Sequence, residues 1–416
     1  MKLPGSTSSL ATPELSLPVA PRHVAALDGI RFVAAFAVMV SHATYQIYPP
    51  GNWDGMTLTV WTLTHLANVG MTLFFVLSGF VIHWNYRNSV QQSGGLRNFF
   101  IARWSRLYPL FLVVFAAGFL YELLGKDDVE PLARSTPFFL TFTTTWWFWR
   151  VDDTRYIFSA ISNPLLGVMW SLATEAFFYL VYPFLASTAN MLSRRGALAA
   201  LLAIGALGGI MALGFVKYSD LILDLGIRYA KVDQSSGSSF LFWLGYHSPF
   251  MRLPSFLIGV AAAQYIIAGG RLPRTVADTI FVLCVIGIAA AEQIRSLFAM
   301  VDTSACVILF AGLCLATSSD KSRAARLMGV PLMVWGGEAS YSLYLLHDPV
   351  IWAISRMTAH LRLPMPIFWV IVGALMAILL SRACYVRFER PTQSLFRTFG
   401  RMLLRVPRKE LLYIDR

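Results

Sequence analysis

The sequence is poor in charge. Only 13% of its 416 residues are Asp, Glu, Lys or Arg, against 56% that are hydrophobic, and the mean hydropathy is +0.59. This excludes a soluble globular protein of ordinary composition and indicates a polytopic membrane protein. Cysteine is scarce as well. Cys284, Cys306, Cys314 and Cys384 all lie in apolar segments, with neither CxxC spacing nor companion histidines. They read as small core residues, which excludes a disulfide framework and a metal site. Acidic residues are outnumbered 22 to 34, for a net charge of +12. The basic residues sit in short loops and beyond Arg387, with no basic face on a soluble domain, so nucleic acid is excluded as a partner and membrane lipid on the cytoplasmic side is the expected neighbour. The start of the chain lacks the apolar core of a signal peptide. Residues 1–26, rich in Pro, Ser, Thr and Ala, read as a disordered cytoplasmic tail.

What is present in quantity is apolar helix. The hydropathy pattern gives an all-α bundle of about ten transmembrane helices over residues 29–47, 67–84, 107–124, 168–187, 197–216, 250–268, 275–292, 301–317, 338–357 and 368–385. Residues 137–149 fall short of the ~20 that a span needs and are expected not to cross. Only then do Arg87, Arg97, Arg103 and Arg106 share a side with Arg194, Arg195, Arg271, Arg274, the Lys321/Arg323/Arg326 cluster and the C-terminal segment. Both termini are then cytoplasmic. The membrane domain covers residues 27–390, and residues 391–416 form a basic cytoplasmic tail. Around residues 98–107, Phe99, Phe100 and Trp104 interleave with Arg97, Arg103 and Arg106, which suits a helix lying in the interface with its basic side to water. Residues 125–167 and 217–249 form two long outer segments.

The first span organises the chemistry. In LDGIRFVAAFAVMVSH, Asp28 can cap the helix and pair with Arg31 three residues on, and His42 follows Arg31 by eleven residues. At 1.5 Å per residue that separation is ~16 Å, so one ionisable group lies at a membrane face and the other within the membrane. An intramembrane histidine faces a cavity or a partner, and His42 is the expected centre of reactivity. In MWSLATEAFFYL, Ser171, Glu175 and Tyr179 recur every four residues on one helical face. Glu175 and His42 each lie roughly 10 Å from the outer end of their spans, so the expectation is a carboxylate against the imidazole, fixing its tautomer for general-base work. A structural ion pair is the alternative. GEASYSLYLLHDPVI adds Glu338, Ser340, Tyr341, Ser342, Tyr344, His347 and Asp348 beside a kinking Pro349, a density of polar groups that implies a lined cavity. His347 reads equally as structural or catalytic.

In order along the chain, LDGIRFVAAFAVMVSH, FFVLSGFVI, RWSRLYP, WSLATEAFFYL, SYSLYLLH and RFERP resemble the signatures of the acyltransferase-3 family of integral-membrane acyltransferases. The resemblance covers most of the chain. It implies a multi-pass protein of the bacterial inner membrane that moves an acyl group, acetyl above all, from cytoplasmic acyl-CoA to a hydroxyl of a glycan or lipid-linked saccharide at the outer side. Acyl-CoA is then a co-substrate, and no bound cofactor is implied. By the same resemblance His42 is the general base. Arg31, Arg103 and Arg106 would hold the CoA phosphates, while Ser78 and Gly79 leave room for the pantetheine arm. Tyr179, Tyr344 and Ser171 are all open as donors to the oxyanion. The family's additional extracytoplasmic domain is not expected, since the chain ends soon after its last span. The competing reading is a proton-coupled transporter or flippase using His42 and Glu175 as a relay; the sequence shows no internal repeat of the kind such carriers carry.

Overall fold

The structure is a computed structural model that describes residues 24–47, 58–125, 129–149, 163–230, 232–233, 236–291, 306–319, 322–363 and 366–403. Among them every element is helical. In chain order these are α1 (Ala25–Ile47), α2 (Leu58–Tyr86), α3 (Gly95–Gly125), α4 (Glu130–Leu140), α5 (Trp170–Asn190), α6 (Arg194–Lys217), α7 (Ser219–Ala230) and α8 (Gly237–Phe242). There follow α9 (Pro249–Ile267), α10 (Arg274–Ala291), α11 (Val307–Thr317), α12 (Arg323–Met328), α13 (Pro331–Glu338), α14 (Ser340–His360), α15 (Pro366–Cys384) and α16 (Arg390–Leu403).

Among the described residues, eight stretches are long and apolar enough to cross a membrane: Ala25–Gln46, Thr62–Tyr86, Gly95–Gly125, Gly167–Asn190, Arg194–Lys217, Gly237–Ile267, Arg274–Ala291 and Ile367–Leu403. They coincide with eight of the expected spans. The other two differ for separate reasons. α11 is a short apolar helix of 11 residues, and residues 301–305 of that expected span lie outside the described ones. α14 has the length, 21 residues, but is too polar to stand out by hydropathy because its first half lines a cavity.

The bundle centres on α2, which packs against α1 on one side and α9 on the other. Two glycines allow that second contact. A Cβ on Gly79 would overlap the Phe256 carbonyl oxygen, and one on Gly259 would overlap the Val76 carbonyl oxygen. Gly79 therefore serves backbone approach between α2 and α9, in place of the expected role of leaving room for a ligand. α2, α5 and α9 are tied at one end by His83, whose Nδ1 lies 3.2 Å from the Tyr182 hydroxyl and whose Nε2 lies 3.0 Å from Gln264 Oε1. Gln264 in turn donates to the Leu192 carbonyl at 2.8 Å. Gly29 meets Met328 at that end too, so the bundle gathers Arg87, Arg194, Arg195, Arg323 and Arg326 at one end, as charge distribution along the sequence requires.

One expectation is corrected. Residues 98–107 do not form a separate interface helix: α3 runs unbroken over 31 residues, with Asn98, Phe99 and Arg103 buried. Its arginine is internal because aromatic rings receive it, as described below. Among the described residues, 125–167 contains the short helix α4 and 217–249 contains α7 and α8. Beyond the end of α4 at Leu140, the helix gives way to turns whose backbone carbonyls are served by indoles. Trp149 Nε1 donates to the Thr143 carbonyl at 2.8 Å and Trp243 Nε1 to the Thr145 carbonyl at 3.0 Å. Finally, the first part of the expected C-terminal tail is helix α16, while residues 404–416, like residues 1–23, lie outside the described ones.

The close approach at Gly79 sets a test. Gly79→Ala or Gly259→Ala is expected to destabilise the protein by about 1–3 kcal/mol through overpacking, lowering its melting temperature in detergent. Gly209→Ala on α6, where an added Cβ meets nothing within 4 Å, is expected to be neutral or stabilising. Equal melting temperatures for the three variants would contradict the packing account.

Candidate active site

Side chains from α1, α2, α3, α5 and α14 converge on one cleft of about 690 Å3, its open mouth included. Three arginines give it its character. Arg31 on α1 donates to Asp28 Oδ1 at 2.7 Å, the i,i+3 pairing that the sequence suggests. Arg103 on α3 is buried; its Nη2 donates to the Tyr86 hydroxyl at 2.8 Å, and its guanidinium carbon stands 4.7 Å from the Tyr86 ring centre and 5.8 Å from that of Tyr179. Such stacking is worth more where water is absent. Arg103 Nε nonetheless has no hydrogen-bond partner among the described residues. Arg106, one turn on, is half-buried and lines the cleft, with no hydrogen bond or ion pair among the described residues. One carboxylate, Glu175, lines the cleft opposite this charge, and its Oε1 accepts from the Tyr179 hydroxyl at 2.5 Å. The balance is positive, with donors left over. That combination fits an anionic ligand such as a phosphate, which forked guanidinium donors bind well.

The other end of the cleft is neutral and densely bonded. The Tyr344 hydroxyl donates to the Val168 carbonyl at 2.8 Å and accepts from Ser171 Oγ at 2.7 Å. Its ring centre is 6.1 Å from that of His347, which is fully buried. His347 Nδ1 lies 3.0 Å from the Leu343 carbonyl oxygen, four residues back on α14. A carbonyl only accepts, so this nitrogen carries the hydrogen, and in the neutral ring Nε2 is left as the acceptor. His347 Nε2 is 3.0 Å from His42 Nδ1. His42 Nδ1 therefore donates, and His42 Nε2 keeps its lone pair. Asp348 Oδ1 stands 4.0 Å from His42 Nδ1, placed to favour a positive charge on that ring. The His42 side chain is 27% exposed, so it can be reached while its partner is sealed.

Of the residues singled out from the sequence, Arg31, Ser78, Arg103, Arg106, Ser171, Glu175 and Tyr344 line this cleft, and His42 and His347 are paired beside its neutral end. Two do not line it. Gly79 faces α9, and Tyr179 is wholly buried behind Glu175. The expected Glu175–His42 pair is absent: Glu175 bonds Tyr179, and the imidazole bonds His347. Equal depth in the membrane says nothing of the direction in which each helix face points, and α14 stands next to α1 where α5 was expected. Asp348 was legible as a charged neighbour of His347. Tyr86, the anchor of Arg103, carries no signal in the sequence. The same holds for the bond from Ser342 Oγ to Glu389 Oε2, 2.5 Å long, which ties α14 to the segment following α15.

Fold and cleft together define a helical membrane protein with a cationic pocket leading to a histidine pair. The chain belongs to the acyltransferase-3 family: residues 24–386 match its acyltransferase domain. Peptidoglycan O-acetyltransferase OatA of Listeria monocytogenes is 25% identical over 363 residues, covering 84% of this chain and 52% of that protein. YrhL of Bacillus subtilis, provisionally named a peptidoglycan O-acetyltransferase, is 25% identical over 404 residues, covering 91% of this chain and 56% of the relative. SACOL0978 of Staphylococcus aureus, provisionally named an O-acetyltransferase, is 22% identical over 384 residues, covering 89% and 57%. The chain thus spans little more than half the length of these relatives. No solved structure matches it significantly.

The anchoring of Arg103 is testable by itself. Tyr86→Phe removes the hydroxyl acceptor and leaves a buried guanidinium short of a partner, at an expected cost of about 1–3 kcal/mol. A lowered melting temperature would be seen in detergent; an unchanged one would show that Arg103 is held by other means.

Proposed function

We propose that this chain transfers an acyl group, acetyl by analogy with the names of its relatives, from acyl-CoA to a hydroxyl of a glycan or lipid-linked saccharide. The observation that carries the reading is the tautomer chain from the Leu343 carbonyl through His347 to His42, which leaves an unprotonated nitrogen beside a cationic cleft. The nucleotide phosphates of the donor would lie against Arg106, Arg31 and the guanidinium of Arg103. The pantetheine arm would run along α1 past Ser78. Arg31 and His42 are ~16 Å apart along the helix axis, a span comparable to the reach of an extended pantetheine.

In this reading the acceptor hydroxyl attacks the thioester carbonyl as His42 Nε2 takes its proton. The resulting imidazolium is stabilised by Asp348 and by its bond to His347. Tyr344, adjoining both the cleft and His347, would turn its hydroxyl to the developing oxyanion, with Ser171 as its partner. Collapse of the tetrahedral species forms the new ester and expels the CoA thiolate, which takes the proton back from His42. Glu175 is reassigned: instead of orienting His42 it offsets the charge of the arginines and is held by Tyr179.

Topology follows from charge. The end of the bundle that carries the arginine loops would face the cytoplasm, where acyl-CoA is available, and the His42 end would face outward. With α11 and α14 counted, the spans are ten and both termini are cytoplasmic, in the inner membrane of a bacterium.

Membranes containing the protein are expected to transfer radiolabelled acetyl from acetyl-CoA to a glycan fraction, and His42→Ala is expected to reduce the rate by about 10²–10⁴. Transfer by this variant at the wild-type rate would remove His42 from the role. The tautomer chain makes a sharper demand on His347. His347→Leu takes away the acceptor for His42 Nδ1 and is expected to slow transfer at least tenfold with little change in KM. His347→Gln, which can place an acceptor at the same point, is expected to recover part of that loss. Equal rates for the two variants would contradict the chain.

A further inference from the structure

One of the helices outside the cleft stands apart in composition. α16 follows the π-helical turn Tyr385–Glu389, and none of its residues is buried. Its sequence, RPTQSLFRTFGRML, is sharply divided. Arg390, Arg397 and Arg401 recur at i, i+7 and i+11, which sets them within about 40° of one another on a helix of 3.6 residues per turn. On the opposite arc Leu395 is 65% exposed, Phe399 54% and Met402 65%. There is no acidic residue in α16, and Arg387 just before it is also exposed. A basic stripe over a naked apolar face is the pattern of a helix lying in a membrane interface.

A second observation concerns what lies beside that face. Between α16 and α3 runs a groove of about 850 Å3, walled by Phe100, Ile101, Trp104 and Tyr108 on α3 and by Phe396 and Phe399 on α16. Arg97 lines it at the N-terminal end of α3. From there to Tyr108 is eleven residues, or ~16 Å of helix, about half the thickness of a bilayer core. That is the depth reached by one acyl chain from the surface.

We infer that this groove is a binding site for an anionic phospholipid, its acyl chain between α3 and α16 and its phosphate against Arg97 and the arginine stripe. The commitment to an anionic lipid comes from charge. Every ionisable side chain of α16 is an arginine, and basic residues near a membrane surface favour anionic headgroups by several-fold each.

The test uses Trp104, which lines the groove. The full chain is placed in liposomes containing a quarter of acyl-brominated phosphatidylglycerol or, in parallel, acyl-brominated phosphatidylcholine. Quenching of Trp104 is read as the difference between the wild type and Trp104→Phe. The inference expects phosphatidylglycerol to quench Trp104 at least about threefold more efficiently. It also expects that preference to vanish in Arg390→Gln/Arg397→Gln/Arg401→Gln and to survive in the corresponding triple lysine variant. Equal quenching by both lipids, or a preference unchanged by the glutamines, would overturn it and leave a groove that takes any lipid tail. Absence of quenching by either lipid would overturn it also, by showing that the groove is covered by another part of this chain or by a second copy.

Discussion

Guanidinium groups inside an apolar bundle set the terms for much of this structure. A buried arginine is tolerated only when its charge and its donors are engaged. The three in the cleft are engaged in different degrees: Arg31 by one bond to a carboxylate one turn away; Arg103 by two aromatic rings and one hydroxyl; Arg106 by no hydrogen bond or ion pair among the described residues. The gradient has a consequence for packing. Tyr86 comes from α2 and Tyr179 and Glu175 from α5, and the three surround Arg103 or balance its charge. A cleft whose cations are held in place yet incompletely paired is preorganised for an anion, since the cost of gathering like charges has been met in folding.

The neutral end follows a different rule. There a backbone carbonyl fixes the hydrogen of one imidazole, and that ring fixes the hydrogen of the next. The usual arrangement uses a carboxylate to orient a catalytic histidine. Here the orienting group is a neutral ring, and Asp348 stands at 4.0 Å. A neutral orienter avoids placing a full negative charge in direct contact deep in the bundle, where it would need its own counter-ion. It is the polar run that makes this possible, and the same run dilutes the apolar character of α14.

Much of this could be read in the sequence, and the failures share a cause. Helix positions were visible because apolar length is a one-dimensional property, and Arg31, Ser171, Glu175 and Tyr344 were visible because ionisable and hydroxyl side chains are conspicuous in apolar helices. The Arg31–Asp28 pair was local in sequence and was found. The partner of His42 was not, because spacing gives depth along a helix axis while partnership depends on which helices are neighbours. Gly79 was mistaken for room in a cleft when it serves contact between α2 and α9. Arg103 was placed in water because its neighbours Tyr86 and Tyr179 are distant in sequence. The helical form of α16 was not legible because its hydrophobic residues lie on one face and average out.

The most direct measurement of the central claim is an experimental structure with a non-hydrolysable acetyl-CoA analogue bound. The account predicts nucleotide phosphates on Arg31 and Arg106, and the acyl carbonyl beside Tyr344 within reach of His42 Nε2. Phosphates bound away from the three arginines, or an acyl group remote from His42, would contradict it.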